Sequence, residues 1–153
     1  MTSICVKIYD HNVVQELNYT IEPYQGRNAI SGQVIYKIDV NNITSLLTFD
    51  LEREGKPAYR ILSKKFDACK FLEGFYKQMP LANSLLKRLN KMKNFPKSCP
   101  LKAYEPIVLD LFIINWQQLP IYLPNMGYTV TAEFFTNGKK FSEIILKGKT
   151  SQS

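Results

Sequence analysis

Asp67-Ala68-Cys69-Lys70-Phe71-Leu72 and, further on, Ser98-Cys99-Pro100 bracket the one part of this chain that does not read as strand. Between the two cysteines, Leu81, Leu85, Leu89 and Met92 recur at helical spacing with Leu86 beside them, while Lys87, Arg88, Lys91 and Lys93 face the other way. Gly74 and Pro80 interrupt the run, so the pattern predicts a short turn and then a separate amphipathic helix from about Leu81. A Cys69–Cys99 disulfide would tie that helix across the domain. Closing a loop of about 30 residues would stabilise the fold by roughly 3–4 kcal/mol on the chain-entropy account, less any strain. Cys5 is then left over. It reads either as a reactive or intermolecular thiol, or as a thiol whose partner lies outside this chain.

On either side of the bracketed segment the period changes to two. In 13–21, Val13, Gln15, Leu17, Tyr19 and Ile21 alternate with Val14, Glu16, Asn18 and Thr20, as a half-buried strand requires. A turn over 23–28 follows, then a strand over 30–40 with Ile30, Val34, Tyr36, Ile38 and Val40 inward. Leu47, Phe49 and Leu51 alternate with Thr48, Asp50 and Glu52 up to a turn at 54–57, and 58–66 is a less cleanly patterned extended stretch. Beyond Cys99, residues 107–116 are apolar on both faces and predict a central, covered strand. A rigid crossing over 117–127, rich in Pro and Gly, leads to Tyr128, Val130, Ala132 and Phe134 in alternation. Asn137-Gly138 then marks a hairpin into 140–147. About seven strands with frequent turns predict a mainly β protein, an antiparallel β-sandwich with one disulfide-tethered amphipathic helix.

The composition narrows the function classes. At 153 residues the chain is one domain, and 45% apolar with 12% aromatic content excludes a disordered polymer. Nothing in it is a transmembrane run, and the first residues lack the apolar core of a signal peptide. The net charge of +7 invites a nucleic-acid reading, but the basic residues are scattered and no RNA-binding aromatic motif, zinc-finger spacing or helix-turn-helix is present. Two readings of the basic helix face remain: a solvated surface, or a docking face for an anionic partner or membrane head groups through Lys87, Arg88, Lys91 and Lys93.

Catalytic chemistry is scarce. His11 is the sole histidine and sits in a turn-like Asp10-His11-Asn12, so neither a Ser-His-Asp set nor a zinc site can be assembled. Asp67, Asp110, Glu133 and Glu143 show no spacing that suggests a working carboxylate pair, and no Gly-rich phosphate loop occurs. The expectation is a protein with no catalytic residues, no metal and no cofactor. Asn18-Tyr19-Thr20 and Asn42-Ile43-Thr44 are glycosylation sequons on a polar strand face and in a turn. The remaining signal is aromatic: Tyr36, Phe49, Tyr59, Phe71, Phe75, Phe112, Trp116, Tyr128 and Phe134 lie on inward faces or in the bracketed segment. They read as a packed core, or, with Leu85 and Leu89 of the helix as a roof, as the lining of a hydrophobic pocket between two splayed sheets.

These motifs carry a resemblance. Phe66-Asp67-Ala68-Cys69-Lys70-Phe71-Leu72, the Ser98-Cys99-Pro100 that follows, and Leu119-Pro120-Ile121-Tyr122-Leu123-Pro124-Asn125-Met126-Gly127-Tyr128 resemble a large insect family of secreted proteins, long catalogued as a domain of unknown function, that includes the CheB chemosensory proteins. That family in turn looks like a distant branch of the ML lipid-recognition superfamily. The resemblance implies an immunoglobulin-like sandwich, the Cys69–Cys99 disulfide, an extracellular location and a hydrophobic ligand such as a lipid or pheromone-like molecule. The match runs from about Cys5 to Lys147, and the chain reads as one domain over 1–150 with 151–153 as a tail. Family members carry a signal peptide, a strand and a further cysteine before the position that Cys5 matches, and the expectation for this chain is a domain without that first strand.

Overall fold

The computed structural model describes residues 3–53, 55–74, 78, 92, 95–113 and 127–149. In chain order its elements are β1 (Ser3–Ile8), β2 (Val14–Tyr24), β3 (Arg27–Tyr36), β4 (Thr44–Arg53), β5 (Lys56–Asp67), α1 (Ala68–Leu72), β6 (Ile107–Phe112), β7 (Gly127–Thr136) and β8 (Lys139–Lys149). The strands form two antiparallel sheets, five-stranded in the order β1-β8-β7-β4-β5 and three-stranded in the order β2-β3-β6, as a β-sandwich requires. Cys69 and Cys99 are bonded. The helix expected from Leu81 lies outside the described residues, and so do Phe75, Leu85, Leu89, Trp116, the basic quartet Lys87, Arg88, Lys91 and Lys93, and the crossing segment up to Met126.

Local chemistry explains the ends of these elements. Asp67 caps α1 by accepting hydrogen bonds from the backbone of Cys69 (2.9 Å) and Lys70 (3.1 Å), so the acidic residue two positions before the cysteine fixes where the disulfide leaves β5. On the other side, Leu101 is paired both ways with Val40, at 2.9 Å each, which anchors the chain just past Cys99. Asn137 (φ 52°) and Gly138 (φ 79°) both take the left-handed conformation that a two-residue hairpin needs to follow the twist of β7 and β8. The β2–β3 turn is tighter than 23–28, because only Gln25 and Gly26 lie outside the ladder.

The strands depart from the alternation pattern in further places. β1 is a strand the pattern missed, although Ile4, Val6 and Ile8 do alternate with Ser3, Cys5 and Lys7. A bulge between Val14 and Glu16 reverses the phase of β2, so Val14 is fully buried (0% exposed) instead of facing outward. β3 ends at Tyr36, leaving Ile38 at 47% exposure, because the backbone N–H of Lys37 turns to Val13 and Asp39 accepts from Ala103. Among the described strands β6 pairs with β3 alone, and its second apolar face is the half-buried Val108 and Leu111.

Gly32 fixes the β2–β3 register. A Cβ at this position would sit 1.9 Å from the backbone oxygen of Asn18 and 2.7 Å from the Cα of Tyr19, its cross-strand partner, and its φ is +151°. Next to it, Ser31 faces a bulge in β6, where Asp110 and Leu111 (φ 53°) stand against this one residue; its hydroxyl accepts from the Leu111 N–H (3.0 Å) and donates to Glu22 (3.0 Å). Gly32→Ala is expected to cost about 3 kcal/mol or more, the upper end of the usual range for a single substitution, measured as a fall in the urea midpoint.

The outer face of the larger sheet holds a second constraint. Lys140 bridges Glu133 (2.7 Å) and Glu143 (3.0 Å) and lies 4.3 Å from the ring centre of Tyr9, whose hydroxyl donates to Glu143 (3.2 Å). Partial burial works against the Lys140 charge, but its bonds to the two carboxylates outweigh that and hold its pKa above the ordinary range. Burial likewise opposes ionisation of Glu143, and Lys140, Tyr9 and Lys7 together overcome it and lower its pKa. A lowered carboxylate pKa contributes stability that is complete above the unfolded value and lost as pH falls through the folded one. A raised lysine pKa contributes stability below the unfolded value that is lost as pH rises through the folded one. Glu143→Gln should therefore cost about 1–3 kcal/mol at pH 7, and urea denaturation should show that difference from wild type shrinking as the pH is taken below the ordinary glutamate value of 4.5.

Candidate functional site between the sheets

The register of the larger sheet sorts its inner face into four rows that run across the strands. Nearest the disulfide, Phe66, Ser45, Phe134, Ser142 and Ile8 lie side by side. The second row is Lys64, Leu47, Ala132, Ile144 and Val6, and the third Leu62, Phe49, Val130, Leu146 and Ile4. A bulge at Ile61 then shifts β5, so the last row is Tyr59, Leu51, Tyr128 and Gly148. Because cross-strand partners share a face, each row is a line of contacting side chains about 4.8 Å apart.

Burial along these rows is uneven. One hydrophobic cluster closes the disulfide end: Val13, Val14, Val34, Tyr36, Val40, Ile43, Leu101 and Phe141, with Phe134, Ile8 and the two bonded cysteines packed against it. A second closes the other end: Ile30, Leu51, Phe112, Tyr128 and Leu146, with Phe49, Tyr19, Leu109 and Ile4 against it. Val6, Ile144, Ala132 and Leu47 of the second row belong to neither. All four are half-buried, and theirs is the one row of the four with no fully buried member. Opposite, between Ile30 of one cluster and Val34 of the other, stands Gly32, which contributes no side chain. An apolar layer that solvent still reaches therefore separates two closed ends.

The aromatic residues singled out from the sequence divide accordingly. Tyr36 and Phe134 are in the disulfide-end cluster, both near Phe141, with Tyr36 edge-on at 6.0 Å and Phe134 at 6.3 Å. Phe49, Phe112 and Tyr128 come together at the far end, where Phe49 stacks on Tyr128 at 5.8 Å. Phe71, on α1, lies 4.8 Å from Phe66 and covers the β5 corner. Tyr59 shares a face with Leu51 but is 56% exposed, because β5 is the edge of its sheet. The residues the sequence reading missed are the small and aliphatic ones of the second row, and Phe141, which a bulge after Phe134 turns into the core.

The interior is electrically quiet. Burial pushes the Tyr19 hydroxyl pKa up to about 12. Burial also raises that of Tyr36, with the charge of Tyr19 adding to it, so both phenols stay neutral at any physiological pH. Among the described residues no three His, Cys, Asp or Glu side chains are grouped to hold a metal, and no helix is long and apolar enough to cross a membrane. Both sequon asparagines, Asn18 and Asn42, are exposed, as is His11.

No curated protein matches the chain. A family model described as "Protein of unknown function (DUF1091)" matches residues 47–130, from the middle of β4 through the disulfide-bracketed segment and β6 into β7. That is more than half of the 153 residues, and the chain belongs to this family.

Proposed function

We propose that this protein is a non-enzymatic carrier of a hydrophobic molecule, a lipid or pheromone-like compound held between its two sheets, and that it acts outside the cell. The observation that carries the reading is the apolar second row, Leu47, Ala132, Ile144 and Val6, left half-buried between two closed clusters. Ordinary interiors pack to crystal density, so an apolar layer that stays open to solvent suits a guest of matching chemistry. The neutral Tyr19 and Tyr36 and the lack of a metal-holding cluster among the described residues suit the same guest. The Cys69–Cys99 disulfide is at home in an oxidising compartment, and the exposed sequons at Asn18 and Asn42 would accept glycans there. Within the family, a place near the CheB-like chemosensory proteins, with a distant likeness to ML lipid-recognition domains, fits this role.

Displacement of the fluorescent apolar probe N-phenyl-1-naphthylamine tests the reading together with Ala132→Phe. If the second row borders a space that a guest fills, the added ring takes that space. Probe affinity should then fall about tenfold or more while the thermal midpoint stays level or rises, as cavity filling commonly does. If the layer is already tightly packed, Ala132→Phe should instead cost about 1–3 kcal/mol by overpacking. That result, or failure of the wild-type protein to bind the probe, overturns the proposal.

A further inference from the structure

Resting on that reading, the geometry points to the chemical class of the guest: we infer an anionic single-chain amphiphile, a long-chain fatty acid bound as its carboxylate, with its tail along the second row and its head at Lys64. Lys64 pairs with Leu47 across β4 and β5, so it belongs to the same line as Leu47, Ala132, Ile144 and Val6. It is the one charged side chain in any of the four inner rows, and it stands at the row's β5 end, exposed at the sheet edge. The row crosses five strands, a span of about 19 Å at the usual strand spacing. That is a long, narrow, apolar track with a cation at its open end and none within it.

The neighbouring charges sharpen the assignment. Arg60, on the same edge strand, is held by both oxygens of Asp50 at 2.9 and 3.3 Å, so its guanidinium is already engaged. Lys65 pairs with Leu46 and lies on the outer face. No acidic side chain of the described residues forms an ion pair with Lys64. An inward charge on an edge strand also deters sheet-to-sheet aggregation, but that role is independent of which inner row carries it. Here it falls on the row that neither cluster fills. Its flexible stem can lie along Leu62 and Phe66 while the ammonium meets a carboxylate at the mouth.

The test compares palmitate with hexadecanol, the same chain with an uncharged head, by isothermal titration on the full chain carrying Lys64→Glu, Lys64→Ala or Lys65→Glu. Wild type should bind palmitate about tenfold or more tightly than hexadecanol, the difference that one charge-assisted contact supplies. Lys64→Ala should bring the two affinities together and Lys64→Glu should reverse their order, with hexadecanol binding changed less than twofold in both. Lys65→Glu should leave the ratio intact. Equal binding of the two ligands by wild type overturns the inference while the carrier reading stands. So does an equal loss of palmitate from Lys65→Glu, which would show a diffuse charge effect. Binding of neither ligand by any form overturns both.

Discussion

The register of β4 between β7 and β5 is the constraint on which the rest depends. Side chains alternate with a period of two, so a slip of one residue in β4 would send Ser45, Leu47, Phe49 and Leu51 to the outer face and bring Thr48 and Asp50 between the sheets. Asp50 is held outside by Arg60, and Leu51 is clamped beside the fully buried Tyr128, so both faces vote for the same register. The bulges are then not defects but corrections of phase. The one at Ile61 keeps Leu62 and Phe66 inward on one side of it and Tyr59 level with Leu51 on the other. The one after Phe134 sets Phe141 into the disulfide-end core.

Apart from β1, strand existence was therefore legible from alternation, and strand phase was legible away from the bulges. Leu17, Tyr19 and Ile21, then Ile30, Val34 and Tyr36, and later Phe49, Leu51, Tyr128 and Phe134 read as inward in the sequence and do pack between the sheets. Val14, Phe141 and Lys64 were not read, since each lies at or beside a bulge (Gln15, Phe141 itself, Ile61) that shifts the alternation, whereas Leu47 and Ala132 of the Lys64 row did alternate in the sequence. The stretch 58–66 looked irregular for this reason: with Ile61 as an extra residue, Leu62, Lys64 and Phe66 share a face that the uninterrupted alternation from Tyr59 would not have given in the ladder. The disulfide was legible because Cys69 and Cys99 bracket a segment of different period, and Asp67 turned out to be a helix cap that sets the departure of that segment from β5.

The two ends of the sandwich are closed by different means, and that difference matters to the middle. At one end the disulfide, the Val40–Leu101 bridge and the aromatic group of Tyr36, Phe134 and Phe141 bind both sheets and the chain beyond Cys99 into one unit. At the other, Tyr128, Phe112, Leu51 and Ile30 do so by packing alone. Burying a large apolar side chain contributes about 1.5–3 kcal/mol, so each end carries enough such residues to hold its part of the sheet pair together without help from the middle.

That leaves the middle free to be suboptimal, and the sequence places small or absent side chains there. Ala132 stands where Val130 and Phe134 stand in the adjacent rows of the same strand, and Gly32 stands between Ile30 and Val34 on the opposing sheet. Larger residues at either place would join the two clusters into one continuous core. At Gly32 the choice is forced because any Cβ there would collide with the Asn18 backbone oxygen, so the strand pairing that fixes the register also withholds a side chain from the space between the sheets. At Ala132 the backbone is ordinary strand, paired with Leu47 and Ile144. Ala132 is thus the position at which register and vacancy separate: the ladder around it would accept a larger residue, and only the space in front of it distinguishes a layer left open for a guest from one that is merely thin.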